Sequence, residues 1–318
     1  MILLLGGSGY IGEAFTRELV RRDQPFRNLR RSDADYTQFR ILREVVQDLK
    51  PQFVINCAGF TGKPNVDACE TAKAETISGN VLLPLTVAHA CSLYEIPWAQ
   101  VSSGCIYSGA KIRQPDGHLE VAKDLTQPHL RHRLEQQPES LVGFSESDPP
   151  NFSFRAGPCS FYSGSKALAE ETLAKESSLY IWRLRIPFDE FDGSRNYLSK
   201  VLRYGKVYDN FNSISHRSDF ARACLDLWER RAPFGTYNIT NPGWVTTRQV
   251  VTRIDKLLQP KKVFEYWKDD EEFYGEAGRT LRSNCILDTT KLLAAGVQIR
   301  SVEEALEDAL KHWVPAFD

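Results

Sequence analysis

Met1-Ile2-Leu3-Leu4-Leu5-Gly6-Gly7-Ser8-Gly9-Tyr10-Ile11-Gly12 opens the chain and decides its fold. An apolar run from Met1 to Leu5 breaks abruptly at Gly6. A short continuous run of this kind fits a strand covered on both faces, as in a parallel sheet. From Gly12 to Arg22 the pattern turns helical, with Ile11, Phe15 and Leu19 recurring every fourth residue. Strand, glycine turn and helix in that order predict the first unit of a doubly wound α/β fold.

Working outward, strands are expected at Pro25–Leu29, Phe53–Ile55, Trp98–Val101, Tyr180–Ile186 and Thr236–Ile239. Helices are expected at Gln38–Leu49, at Ala72–Leu93 apart from Pro84, at Ser163–Lys175 and at Val302–Trp313. The alternation predicts a Rossmann-type parallel sheet with right-handed crossovers. The chain has 318 residues, more than the ~100–200 of a single core. Residues 1–186 with 206–237 are expected to form the dinucleotide-binding domain. Residues 187–205 and 238–318 are expected to form a smaller C-terminal α/β substrate-binding lobe. Gly109–Pro150 breaks the rhythm and is expected to be an irregular loop or lid.

A net charge of −1 gives no electrostatic case for nucleic acid. Seven scattered cysteines, odd in number and without a CxxC pair, argue against a disulfide framework or a metal site. The histidines of the 109–150 stretch lack metal-ligand spacing. The opening apolar run is too short for a secretion signal, and no stretch has the ~20 apolar residues of a membrane span. A cytoplasmic protein that contacts no membrane is the expectation.

Glycines placed directly after a strand and at a helix start suit a dinucleotide pyrophosphate. Gly6 permits the tight turn, Gly9 lets the backbone approach the ligand and Gly12 allows close helix–strand packing, with Tyr10 and Ile11 at the helix start. After the second strand comes Arg27-Asn28-Leu29-Arg30-Arg31-Ser32, with no carboxylate before Asp33. Arg30 or Arg31 would pair with a 2′-phosphate, which favours NADP over NAD. Asp35 and Tyr36 are expected near the adenine, and Ala58 and Gly59 are expected to touch the cofactor.

Tyr162 and Lys166 are one helical turn apart on one face. A lysine cation beside the phenol is expected to lower its pKa from ~10. Upstream, the fourth strand runs into Ser102-Ser103-Gly104-Cys105-Ile106-Tyr107, where Ser103 would hold a substrate carbonyl oxygen and Cys105 shares its strand face.

With these blocks, Asn56–Gly62, Phe161–Lys166, Arg183–Pro187, Tyr237–Gly243 and Leu281–Asp288, the chain resembles the extended short-chain dehydrogenase/reductases that act on nucleotide sugars. It is most similar to the nucleotide-rhamnose 3,5-epimerase/4-reductases, with similarity also to dTDP-4-dehydrorhamnose reductase and GDP-fucose synthase. Gly62–Asp67 with Cys69-Glu70 is a specific block of this likeness. The resemblance implies a reductase triad of Ser103, Tyr162 and Lys166, an acid–base Cys105 and its partner Lys200. Thr61, Lys63, Asn80, Asn196 and Arg282 are implied near cofactor, sugar or diphosphate. A homodimer is also an expectation, because family members pair through two helices.

A ketone at sugar C4 acidifies the protons on C3 and C5, so a thiolate can remove one and Ser103 with Tyr162 can steady the enolate oxygen. The leading expectation is therefore an NADPH-dependent 3,5-epimerase/4-reductase of a nucleotide-linked 4-keto-6-deoxyhexose. A simple 4-reductase or 4-epimerase is the alternative, followed by a non-catalytic NADP-binding subunit. The 109–150 stretch, Phe154–Cys159 and Phe188–Ser194 depart from the family pattern, which leaves sugar and nucleotide open.

Overall fold

In the computed structural model, residues 1–63 and 65–316 are described; Pro64, within the Gly62–Asp67 block, lies outside them. Strands β1 (Ile2–Leu5), β2 (Phe26–Leu29), β3 (Phe53–Asn56) and β4 (Trp98–Ser103) join the Leu179–Leu184 and Gly235–Asn238 strands in one six-stranded sheet. From one edge the order is β2, β1, β3, β4, Leu179–Leu184, Gly235–Asn238, all parallel. Chain order reverses at β1, so a crevice opens beyond the ends of β1 and β3.

The uninterrupted apolar strands follow from burial on both faces. Ile2 and Leu4 pack with Phe15, Trp182 and Phe220 on one side, and Leu3 and Leu5 with Leu42, Val46 and Val87 on the other. Helix α1 (Tyr10–Arg21) and the Arg217–Glu229 helix cover the first face. Helix α2 (Phe39–Leu49) and the Leu83–Ser92 helix cover the second. Each buried leucine contributes about 1.5–3 kcal/mol relative to exposure. A separate apolar cluster, including Leu198, Val201, Val250, Ile254, Leu306 and Leu310, unites three C-terminal helices.

Two expectations are corrected. The 109–150 stretch is not irregular. Ala110–Arg113, Leu119–Ala122 and Leu141–Val142 form an antiparallel sheet, and Pro128–Gln136 is a helix. Its strands are too short to display a period, and Leu119 and Val121 face outward. Ala110, Ile112, Leu125 and Leu134 anchor it against Phe211 and Ile286. The expected single helix over Ala72–Leu93 is instead Lys73–Ile77, a π turn over Ser78–Leu82, and Leu83–Ser92. A π turn inserts one residue per turn, which re-aims side chains without breaking the rod. Asn80 lies within it.

Candidate active site

The glycine turn is shaped by what cannot be there. A Cβ at Gly12 would lie 2.1 Å from the Gly6 carbonyl oxygen, and one at Gly6, whose φ is +74°, would lie 2.6 Å from the Ala58 nitrogen. Helix α1 starts at Gly9 without a side-chain cap, so its first amides, including those of Tyr10 and Ile11, are free for an anion. Asn28 Oδ1, 2.4 Å from where a Gly7 Cβ would stand, is buried without a partner. An uncapped helix start, a cradle without room for Cβ atoms and an orphan acceptor all fit a dinucleotide.

Arg30 and Arg31 are exposed just past β2. The nearby carboxylates bond within their own turn, where Asp33 accepts from the Arg30 amide at 3.3 Å and Asp35 from Thr37 Oγ1 at 2.6 Å and Gln38 at 3.0 Å, and Asp35 also lies 3.7 Å from Arg31 Nε. Those bonds hold the Asp35 carboxyl below its ordinary range. Tyr36 is packed in the core with Leu3 and Leu5, beneath the turn and not open to a ligand. The Tyr10 hydroxyl donates to Asp189 at 3.2 Å, and the Arg217 guanidinium covers its ring at 4.2 Å. That clamp tying the turn to the 186–196 loop was not legible, since its members lie some 180 and 200 residues apart.

Beyond β4, Ser103 caps the Gly104–Ile106 turn, its Oγ accepting from the Cys105 amide at 3.2 Å. Opposite stands the Phe161–Thr172 helix, capped by Ser160 through the Ser163 amide at 3.2 Å. Glu70 accepts from the Phe161 amide at 2.7 Å and from Thr280 at 2.8 Å, which fixes where that helix begins. Tyr162 packs with Cys105 and Ala167. Lys166 Nζ lies 5.9 Å from the Tyr162 ring centre and 3.6 Å from the position of a Cβ on Gly59. In its π turn, Asn80 accepts from the Phe60 amide at 2.8 Å and donates to the Phe60 carbonyl and to Ser165. It thereby locks the segment after β3 to the tyrosine helix. Ser103, Cys105, Tyr162, Lys166, Ala58, Gly59 and Asn80 thus converge at the crevice.

The electrostatics correct one expectation. Burial raises the Tyr162 phenol, Cys105 and Cys69 raise it further, and Ser103 and Arg185 work the other way. Burial likewise lowers the Lys166 amine, opposed by Cys105 and Glu170. Burial dominates, so the phenol stands above its ordinary range and the expected lowering beside the lysine is not seen. Burial also raises the Cys105 thiol, against Ser103, Arg185, Ser163 and Lys166.

A cationic rim adjoins this pocket. Arg195 donates to Thr61 Oγ1 at 3.0 Å and to the Gly62 carbonyl at 2.9 Å, and Arg282 pairs with Asp67 at 2.8 Å. Lys200, half-buried on the Tyr197–Arg203 helix, has its amine lowered by burial and by Arg195 and Arg282. Lys63 is exposed beside Thr61. Asn196 is a correction: its amide donates to Asp189 and Phe191, and its oxygen caps Leu198 at 3.0 Å. It holds the loop rather than a sugar. Arg195 was missed because a lone surface-type arginine carries no local signal. Among the described residues, no group of three His, Cys, Asp or Glu side chains is arranged to hold a metal, and no helix is long and apolar enough to cross a membrane.

Residues 1–129 match the family model described as the RmlD substrate binding domain. The chain is 31% identical, over 82% of its length and 77% of the relative's, to the Arabidopsis thaliana bifunctional dTDP-4-dehydrorhamnose 3,5-epimerase/dTDP-4-dehydrorhamnose reductase. It is 30% identical to a trifunctional UDP-glucose 4,6-dehydratase/3,5-epimerase/reductase of the same plant, spanning 35% of that longer protein. In fold it is similar to the UDP-rhamnose synthase of Acanthamoeba polyphaga mimivirus, with TM-score 0.81, 21% identity and 98% of both chains covered. It is also similar to a Bacillus anthracis dTDP-4-dehydrorhamnose reductase solved in complex with NADP, with TM-score 0.74, 18% identity and 98% and 97% covered. The chain belongs to the extended short-chain dehydrogenase/reductases, in the family of the dTDP-4-dehydrorhamnose reductases and nucleotide-rhamnose 3,5-epimerase/4-reductases.

Proposed function

We propose that the chain is an NADPH-dependent 3,5-epimerase/4-reductase of a nucleotide-linked 4-keto-6-deoxyhexose. The observation that supports this is the grouping of four side chains beyond β4: Cys105 and Tyr162 pack in one cluster, Ser103 caps the turn that carries Cys105, and the Lys166 amine lies 5.9 Å from the Tyr162 ring centre. A plain reductase needs the serine, phenol and ammonium. The thiol favours proton chemistry as well. Seven free thiols support a reducing cytoplasm as its setting.

NADP(H) would lie along the Gly6–Gly12 turn, with Ala58, Gly59, Asn80 and Lys166 bordering it and Arg30 or Arg31 at the 2′-phosphate; when bound, the reduced nicotinamide supplies the hydride that C4 receives. In the epimerase stage Ser103 and Tyr162 hold the C4 oxygen. Cys105 removes the C3 or C5 proton as thiolate, and Lys200, whose amine burial, Arg195 and Arg282 make a stronger acid, returns one from the opposite face. In the reductase stage Tyr162 gives its proton to the C4 oxygen. Thr61, Lys63, Arg195 and Arg282 would meet the diphosphate and sugar.

The test is deuterium entry at C3 and C5 of UDP- and dTDP-linked 4-keto-6-deoxyglucose in heavy water, followed by NMR. The wild-type chain incorporates deuterium and Cys105→Ser does not. Exchange persisting in the cysteine variant removes Cys105 from the mechanism. NADPH consumption without any exchange leaves a simple 4-reductase.

A further inference from the structure

Arg185 directly follows the Leu179–Leu184 strand, whose Leu184 pairs with Ser103. Its side chain therefore leaves the sheet at the level where the Gly104–Ile106 turn begins. The residue is 5% exposed. Nη2 donates to Asn212 Oδ1 at 2.6 Å and to the Ser283 carbonyl, while Nε is buried without a partner. Arg183, two residues earlier, is neutralised by Glu170 at 2.6 Å. Arg185 has no such carboxylate among the described residues. A buried guanidinium without a counter-ion is costly, and an anion formed nearby would relieve it.

Asn212 Oδ1, which Arg185 holds, also accepts from the Cys285 amide at 3.2 Å, and Cys285 packs in one cluster with Cys105 and Tyr162. The charge therefore acts on Cys285, Cys105 and Tyr162, and on Tyr197. Cys285 also lies against the Arg185 side chain, but its thiol hydrogen is already given to the Gly104 carbonyl at 3.2 Å, and that of Tyr197 to Thr247 at 3.3 Å. Tyr162 must keep its proton to give it. Cys105 is left. It is also faced by Lys166 and Tyr162 from the helix, by Cys69 and Cys159 from flanking loops and by Cys285. Lys166 is the other cation, but burial weakens its hold on a proton, whereas a guanidinium stays charged throughout.

Resting on the proton-abstraction role proposed for Cys105, we propose that Arg185 is its positioning residue, a fixed counter-charge that stabilises the thiolate and so aids proton removal at C3 and C5. The experiment titrates the Cys105 thiolate by ultraviolet absorbance, as the difference between the wild-type chain and Cys105→Ser, and repeats this in Arg185→Gln and Arg185→Lys. Arg185→Gln raises the midpoint by about one pH unit and slows deuterium entry near neutrality by about tenfold. Arg185→Lys recovers part of both. A folded Arg185→Gln chain with an unmoved midpoint overturns the proposal. Should that variant not fold, the Arg185 Nε–Hε resonance of the wild-type chain still decides. It shifts as Cys105 titrates and stays flat in Cys105→Ser; a flat wild-type resonance overturns the proposal equally. A midpoint that moves in a chain whose wild type exchanges no deuterium supports the Arg185–Cys105 coupling and removes the epimerase role instead.

Discussion

The glycine turn and the reaction pocket lie at the same edge of one sheet, yet they are built on opposite terms. The turn is defined by missing side chains: Gly12 and Gly6 leave no room for a Cβ against neighbouring backbone. The pocket is defined by side chains with buried polar ends, drawn from β4, the Phe161–Thr172 helix and the strand end at Arg185. Steric features tolerate almost no substitution, whereas the electrostatic ones tolerate substitution and change the chemistry. A fold can therefore survive changes that abolish its reaction.

The sharpest way to break that contrast is Gly12→Val. A Cβ 2.1 Å from a backbone oxygen cannot be absorbed by a rotamer change, so the first βα unit must shift. NADPH affinity, measured by fluorescence titration, is expected to fall by about a hundredfold or more (~2.7 kcal/mol), with a lower Tm. Near-normal NADPH binding would show that the turn is not steric in origin.

The contrast is sharpened at smaller amplitude in the 109–150 insert. Asp148 there accepts from Lys111 at 2.6 Å and from Ser145 N and Oγ at 2.6 and 2.8 Å. Burial alone would raise its carboxyl, but these partners overcome it and hold the pKa below normal. A depressed folded pKa means stabilisation that is full above the unfolded value near ~4 and fades as pH falls through the folded value. Asp148→Asn is expected to cost about 1–2 kcal/mol at neutral pH, with the gap in Tm from wild type closing as pH drops below ~4. A gap independent of pH would show that the pairing contributes nothing.

What could be read from the chain alone tracks this division. The βα order, the glycine turn and the closeness of Tyr162 and Lys166 beside Ser103 were legible because each rests on local spacing: an apolar run, a close backbone approach, one helical turn. The insert's small sheet was not, because four-residue and two-residue strands carry too few positions to show a period. The π turn that aims Asn80 was hidden for a similar reason, since one extra residue in a helix leaves the apolar pattern almost intact. Asn196 was expected near cofactor, sugar or diphosphate yet caps a helix, a role that spacing alone does not separate from ligand contact. The lysine's expected effect on Tyr162 failed because local proximity was weighed and burial was not.

The central claim is that one pocket moves carbon-bound protons with Cys105 and an oxygen-bound proton with Tyr162. It is tested most directly by Tyr162→Phe, incubated in heavy water with NADPH and a UDP- or dTDP-linked 4-keto-6-deoxyglucose. NADPH oxidation is expected to fall by about a hundredfold or more, while deuterium still enters at C3 or C5, more slowly because Ser103 alone then holds the C4 oxygen. Unchanged NADPH oxidation in that variant would contradict the account.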